Sequence, residues 1–284
     1  MAKTLIPFLL LFCTFTFAQT EVDSSVFRFQ YDKDILSKEF HQERRAALRA
    51  QMEPNSVAVF FANPVRTRSN DIDFQYHQDP DFYYLTGLKE PHSLLIIFKN
   101  KQAIDSIITN EIIFIQDRNS KREIWDGRRL GKNGVRLVHG FENIWINNEF
   151  AGFQIDFSNY SKVYHKEFKN DVRDDELDRG DLYSLIRHFK FKTDGLKNID
   201  GKNLKDMMAG LREVKLEEEL VLLRKAINAT CLAQIELMKA LKPGMTEFQA
   251  QAILEYFFKH FGAQYPGFPS ILGAGENSCI LHYT

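Results

Sequence analysis

The spacing of apolar and polar positions predicts helices and buried strands in the first half of the chain. Apolar residues recur at helical spacing among many charged ones over residues 34–52, which predicts an amphipathic surface helix. Three almost wholly apolar runs follow at residues 57–61, 94–98 and 112–115, each bounded by Asn, Pro, Gly or charged residues. Such runs are typical of strands that are covered on both faces. We therefore expect one α/β domain in this part of the chain.

Two further helical patterns occupy the last third of the chain. Three consecutive glutamates, residues 217–219, place negative charge where a helix dipole favours it, and the Lys-Pro-Gly sequence at 242–244 ends that helix. Its apolar face is expected to follow one side of the helix, with Leu220, Leu223, Ile227, Cys231, Met238 and Leu241. Thr246 and Gln249 have the spacing of a capping box, which predicts the start of a second helix. Gly262 is expected to end the second helix.

The helices after residue 205 have apolar faces, but the sequence predicts no sheet to cover them. A loop at residues 264–270 is expected next, followed by a strand or turn around Gly273 and Gly275 that would form a short hairpin. We expect an N-terminal domain at residues 30–190 and a polar, glycine-containing linker at 191–204. Residues 205–284 would then be the opening of a second, incomplete domain.

The amino terminus has the layout of a secretory signal peptide. Lys3 precedes an apolar run at residues 5–17, and Ala18 supplies a small residue for cleavage. No later run approaches the roughly 20 apolar residues of a membrane span. We therefore expect cleavage after Ala18, export to the periplasm or the medium, and no membrane span in the mature protein.

Composition narrows the class of protein further. Hydrophobic residues make up 44% of the chain, and 37 basic residues nearly balance 38 acidic ones. This composition argues against a disordered chain, and it provides no net positive field to attract nucleic acid or an anionic membrane. The mature chain retains Cys231 and Cys279, which lack zinc or thiol-redox spacing, so we expect both to be buried as small apolar residues.

Three blocks of sequence carry a specific resemblance to a known family. They are residues 67–87, which contain TRSND and YHQDPDFYYLTG; residues 123–131, EIWDGRRLG; and residues 265–284, where YP is followed by GAGENSCILHYT. In this order they closely resemble the Xaa-Pro aminopeptidases, also called aminopeptidase P. The resemblance runs from about residue 34 to the last residue.

The resemblance implies a creatinase-like N-terminal α/β domain followed by the opening helices and hairpin of a pita-bread metallopeptidase domain. It also implies removal of an N-terminal residue that precedes proline, with a pair of divalent metal ions, usually manganese. Two bridged metal ions lower the pKa of a bound water and polarise the scissile carbonyl, and hard oxygen ligands suit manganese. The family's metal ligands would lie beyond Thr284. We therefore assign no metal ligand to this chain and expect the fragment alone to be inactive.

The resemblance also implies four site residues. His282 falls on the family's first active-site histidine, which contacts substrate or helps proton transfer, and an imidazole suits that task. Phe268 falls on an aromatic position that lines the same pocket. Trp125 and Asp71 match groups that related tetrameric enzymes present across a subunit boundary, which implies a homo-oligomer. Taken singly, His282 fits a structural histidine, Trp125 a core or interface aromatic, and Asp71 a turn residue.

Three functions remain open at this stage. The first is a metallo-aminopeptidase that acts on peptides with proline at position two. The second is a non-catalytic module that binds a peptide or protein. The third is a prolidase that cleaves Xaa-Pro dipeptides, and the N-terminal blocks favour the aminopeptidase over it.

Overall fold

The structure, a computed structural model, describes residues 34–104, 107–176 and 178–283. The expected signal peptide at residues 1–18 lies outside these ranges. The strands are β1 (Ser56–Phe61), β2 (Thr67–Ser69), β3 (Ile72–Asp73), β4 (Leu94–Ile104), β5 (Ile107–Ile115), β6 (Ile144–Ile146), β7 (Lys162–His165) and β8 (Ile199–Asp200). The α-helices are α1 (Lys38–Gln51), α2 (Pro80–Thr86), α3 (Ser120–Asp126), α4 (Gly131–His139), α5 (Leu182–Lys192), α6 (Asn203–Glu213), α7 (Glu217–Ala240) and α8 (Glu247–His260).

Six of the strands form one mixed sheet in the order β6-β5-β4-β1-β7-β8, and β2 pairs with β3 in a separate ribbon. Strand β4 runs antiparallel to β1 and β5, whereas the pairs β5/β6, β1/β7 and β7/β8 are parallel. The three apolar runs of the sequence lie in β1, β4 and β5. The expected α/β domain with buried strands is therefore present.

The sheet is buried on both faces, which explains why its strands are apolar without alternation. Ala58 and Phe60 of β1 pack on one side with residues of α1, α2, α4 and α6, whereas Val57 and Val59 pack on the other with α5. Phenylalanine fills much of the second side. Phe114, for example, meets the rings of Phe150 and Phe153 edge-on at centroid distances of 5.1 Å. Phenylalanine rings therefore supply much of the packing on this face of the sheet.

A buried ion pair joins α1 to the sheet. The Arg45 side chain is fully buried, and its Nε and Nη2 each donate to Glu111 of β5 at 2.9 Å. Its Nη1 donates to the Leu85 carbonyl at 2.7 Å, near the end of α2. Burial by itself would raise the pKa of Glu111, but the hydrogen bonds from Arg45 and Arg49 outweigh it and hold that pKa below its ordinary value. One guanidinium therefore connects three elements of the core.

Helices α7 and α8 pack against each other through small and apolar side chains. Ala233 and Leu237 of α7 meet Ala250 and Leu254 of α8. The predicted capping box is present, because the Gln249 amide donates to Thr246 Oγ1 at 3.2 Å and the Thr246 amide donates to Gln249 Oε1 at 3.0 Å. No helix in the part of the chain that the structure describes is long and apolar enough to cross a membrane.

The prediction that both cysteines are buried is wrong. Cys231 and Cys279 are exposed. Helix α8 covers the side of α7 that carries Ala229, Ala233 and Leu237, and Cys231 lies two residues from Ala233, on nearly the opposite side of the helix. The apolar residues expected to share a buried face with Cys231, such as Ile227 and Met238, are exposed with it.

The expected hairpin is also not formed. Residues 261–283 contain no strand, and Gly275–Cys279 is a 3-10 helix. Two strands alone gain little stability, and the Ala274 amide donates instead to a side-chain carboxylate of α8, that of Glu247. A hydrogen bond to a side chain 27 residues away in the sequence is therefore present where strand pairing was expected.

The segment expected to link two domains takes part in the fold. Strand β8 pairs with β7 in the sheet. Leu204 and Met208 of α6 are buried against the face of the sheet that α1, α2 and α4 also cover. The Leu211 carbonyl of α6 also accepts from the Tyr84 hydroxyl at 2.9 Å, and beyond α6 the Glu218 carboxylate accepts from Ser37 Oγ at 3.0 Å. The domain limits at residues 190 and 205 stay a prediction.

Candidate functional site

The four predicted site residues lie in two parts of the structure. His282 and Phe268 are both exposed and both belong to the stretch that follows α8, with Phe268 72% exposed. Trp125 lies near the end of α3 and is 89% exposed, and Asp71 lies in the turn between β2 and β3. Within the described ranges, no hydrogen bond, ion pair or ring contact joins any two of the four. Their roles in a common site therefore stay a prediction.

His282 lies in a loop that is attached to the first turn of α8. The carboxylate of Glu247 accepts from the Ala274 amide at 2.6 Å, from Asn277 Nδ2 at 3.0 Å and from the Tyr283 hydroxyl at 2.8 Å. Asn277 Nδ2 is also 3.0 Å from the Tyr283 hydroxyl oxygen. The residue that directly follows His282 is thus fixed to the helix. Glu247 directly follows the capping-box residue Thr246, but no sequence pattern indicates its contact with the loop.

The first block of the resemblance forms a charged connection beside α2. Asp79 caps α2 by accepting from the amides of Asp81 and Phe82 at 3.0 and 3.1 Å. Asp81 pairs with Arg212 at 2.6 Å, and Lys166 lies 2.9 Å from both aspartates. Burial lowers the pKa of Lys166, but the charges of Asp79 and Asp81 outweigh it and raise that pKa above its ordinary value. This block therefore holds α2 to β7 and α6.

The first and third blocks of the resemblance meet at one aromatic contact. The rings of His77 and Tyr265 lie 4.3 Å apart, centroid to centroid, in an edge-on arrangement. Such a contact brings the stretch that contains Phe268 next to the loop before α2. The tertiary structure thus connects blocks that are nearly 200 residues apart in sequence.

The second block leaves an apolar pair in solvent. Ile124 and Trp125 are 82% and 89% exposed, so Trp125 is not a core residue. Arg129 pairs with Asp126 at 3.7 Å. Where the block ends, Glu90 accepts from the Leu130 amide at 2.6 Å, and burial raises the pKa of Glu90 to about 7. An exposed Trp beside an exposed Ile is typical of a protein contact surface.

The implied metal pair would need a cluster of ligating side chains. The described residues contain no group of three or more His, Cys, Asp or Glu side chains that could hold a metal ion. The carboxylate that anchors the loop of His282, that of Glu247, is already engaged by three donors. These residues therefore do not fit a two-metal centre.

Comparison with protein families defines the class of protein. Residues 41–164 match the aminopeptidase P N-terminal domain, and residues 221–284 match metallopeptidase family M24. The sheet lies almost wholly in the first region, and α8 with the loop of His282 lies in the second. The first part of the chain therefore resembles aminopeptidase P N-terminal domains, and its last part resembles M24 metallopeptidases.

Individual proteins agree with this class. The Xaa-Pro aminopeptidase of Escherichia coli K12 is 32% identical over 262 residues, which cover 88% of this chain and 55% of that protein. The Haemophilus influenzae Xaa-Pro aminopeptidase is 29% identical, over 88% of this chain and 54% of its own. Among solved structures, E. coli aminopeptidase P with the inhibitor Pro-Leu superposes with a TM-score of 0.73 at 30% identity, over 88% of this chain and 55% of that one. The predicted resemblance and fold class are confirmed, and the chain spans about half the length of the curated relatives it matches.

Proposed function

We propose that the protein containing this chain is a metallo-aminopeptidase that releases the N-terminal residue from peptides with proline at position two. The observation that supports this function is the ordered match of 88% of the chain to an Xaa-Pro aminopeptidase at 32% identity. Matches to two different family regions in one chain make a coincidental likeness implausible. The alternatives are a prolidase and a non-catalytic binding module.

Within this function, His282 is proposed as the catalytic residue and Phe268 as a side chain that contacts substrate. Two features support these roles. Both side chains are exposed, and the loop that contains His282 is attached to α8 through the next residue, Tyr283. An imidazole can accept or donate a proton near neutral pH. Phe268 offers an apolar surface that suits a proline ring.

Trp125 and Asp71 are proposed to contact a neighbouring subunit of a homo-oligomer, near its substrate. The exposure of Trp125 and Ile124 supports this role, because a subunit contact would bury them. Asp71 also fits its structural alternative, a turn residue after Asn70, which has a φ of 52°. Sedimentation of the Trp125→Ser variant tests the proposal, and an unchanged assembly would reject it.

The M24 match supports the use of divalent metal ions, and we propose two, with manganese preferred. When bound, such a pair would supply Lewis-acid activation of water and of the scissile carbonyl. No metal ligand is assigned among the described residues. We also propose export, because residues 1–18 have the pattern of a signal peptide.

Cleavage assays on the full-length gene product test the function. The substrates are a longer peptide with proline at position two, its counterpart with alanine there, and an Xaa-Pro dipeptide. We expect cleavage of the first peptide alone or in strong preference, loss of activity with a chelator, and recovery with manganese. Cleavage of the dipeptide only would favour the prolidase, and peptide binding without cleavage would favour the non-catalytic module.

A further inference from the structure

In the described part of the chain, the hydrogen bonds that join the loop carrying His282 (residues 274–283) to α8 all go to one side chain, that of Glu247. One oxygen of Glu247, Oε1, accepts from the Ala274 amide and from Asn277, and the other, Oε2, accepts from the Tyr283 hydroxyl. The three donors lie near the start, in the middle and at the end of residues 274–283. Both ends of the loop are therefore held by one carboxylate.

The hydrogen bonds that cap the start of α8 do not involve Glu247. Thr246 and Gln249 satisfy each other's amides in the capping box, and Glu247 takes no part in those two hydrogen bonds. Its carboxylate instead points to the loop. The hydrogen bond from the Ala274 amide, with those from Asn277 and Tyr283, keeps the pKa of Glu247 below its ordinary value, and the bond to Glu247 raises the pKa of Tyr283. Glu247 is thus a charged acceptor and Tyr283 a neutral donor at neutral pH.

Fixing Tyr283 also limits where His282 can lie. Consecutive Cα atoms are about 3.8 Å apart, so an anchored Tyr283 ring confines the preceding backbone. The loop is closed locally as well, because Ser278 Oγ donates to the Gly275 carbonyl at 2.6 Å within the 3-10 turn. His282 makes no hydrogen bond or ion pair in the described part of the chain. Its place is therefore set by its neighbours in the loop.

We propose that Glu247 is a positioning residue for His282, holding the loop so that the imidazole faces the substrate. This inference rests on the proposed function. It adds a role for a carboxylate that neither binds a metal nor contacts the reacting atoms. Its importance follows from geometry, because displacement of a catalytic group by about 1 Å can cost on the order of a hundredfold in rate.

Hydrogen exchange in the full-length protein tests the attachment itself. We expect Glu247→Ala to speed exchange of the Ala274 amide by about tenfold or more, because a hydrogen bond to a charged acceptor is lost. The matched control is Glu255→Gln on the same helix, because Glu255 accepts from Gln251 of α8. This control should leave the exchange rate of the Ala274 amide unchanged. Equal exchange in both variants would overturn the inference.

Kinetics on the same protein test the action through His282. We expect Glu247→Ala to lower kcat/KM for a proline-second peptide by about tenfold to a hundredfold, while Glu247→Gln, which keeps a carbonyl acceptor for Ala274, restores part of it. In a His282→Ala background the Glu247→Ala change should have less than about a twofold further effect. Circular dichroism checks that each variant is folded.

The outcomes separate the two proposals. If His282→Ala leaves the activity unchanged, the proposed role of His282 fails, and the positioning role fails with it. If His282→Ala lowers the activity but Glu247→Ala does not, or if the two effects multiply independently, only the positioning role of Glu247 is overturned. If each single substitution to alanine strongly lowers kcat/KM, and the double variant has about the same kcat/KM as His282→Ala, both proposals are supported.

Discussion

Burial keeps several titratable side chains of the N-terminal part in one protonation state. His41 and His139 lie close to Gly87, and burial lowers the pKa of His41 to about 4 and that of His139 to about 3. Both are therefore neutral in the folded protein at neutral pH. Because an exposed histidine titrates near 6.5, their contribution to stability is present above that pH and is lost as the pH falls toward 4. The contribution of Glu90 to stability has the opposite pH dependence.

Glu90→Gln is expected to change how stability depends on pH. Burial raises the pKa of Glu90 to about 7, despite the amide of Leu130 and the charge of Arg129, and its Oε2 has no hydrogen-bond partner among the described residues. The folded state thus favours the protonated acid. Its contribution is full below the unfolded pKa near 4.5 and is lost as the pH rises through 7.

Urea unfolding at pH 5 and pH 8 measures this effect. The free energy of unfolding of Glu90→Gln, expressed relative to that of wild type, should rise by about 2 kcal/mol from pH 5 to pH 8. Wild type and variant contain the same histidines, so the difference between their free energies of unfolding at each pH does not include the histidine contribution. Glu276→Gln, at an exposed position in the loop after α8, is the control and should run parallel to wild type. A parallel curve for Glu90→Gln would contradict the expectation.

Helix α2 ends at a glycine whose conformation and surroundings both exclude a larger residue. Gly87 has a φ of 70°, and its amide donates to the Tyr83 carbonyl at 2.7 Å. A Cβ at this position would lie 2.6 Å from His41 Nε2 and 2.9 Å from His139 Nδ1. The end of α2 therefore depends on a residue without a side chain.

Gly87→Ala should lower the free energy of unfolding by at least about 2 kcal/mol, because it adds left-handed strain and a steric clash. Gly210→Ala is a matched control. Gly210 lies in α6, and a Cβ there would meet nothing within 4 Å. Alanine in a helix should raise stability by about 0.5–1 kcal/mol. Urea titration of both variants measures the difference, and equal losses would argue against this account.

Helix α7 shows what periodicity could and could not predict. Its existence and its start at Glu217 are confirmed, because charge and helical spacing are local properties of the sequence. Its buried side was predicted wrongly, since many apolar residues surround the helix and periodicity alone does not select among them. Contact with α8 selects the side with Ala233.

For the whole molecule, the amino terminus allows a direct test of export. If residues 1–18 are a signal peptide, the mature protein purified from its source should begin at Gln19. Intact-mass spectrometry and N-terminal sequencing measure this start. A protein that begins at Met1, or at Ala2 after removal of the initiator Met, would show that export by this route is wrong.

The candidate site, like the fold, is only partly predictable from the sequence. His282 and Phe268 were named from short sequence blocks, because a family resemblance is carried by local residue order. The carboxylate that holds their loop was not predicted, since Glu247 and Tyr283 are 36 residues apart and meet only in the folded chain. The edge-on contact of His77 and Tyr265 is hidden for the same reason.

The sequence alone determined the buried strands, the helix starts and the resemblance to Xaa-Pro aminopeptidases. These features depend on residues that are neighbours in the chain, and local propensity and order express them directly. Tertiary structure decided which helix sides are buried, that Cys231 and Cys279 face solvent, and that a 3-10 turn replaces the hairpin. Each of these outcomes depends on which distant group is closest in space, because packing and hydrogen bonding act over a few ångströms irrespective of distance along the chain.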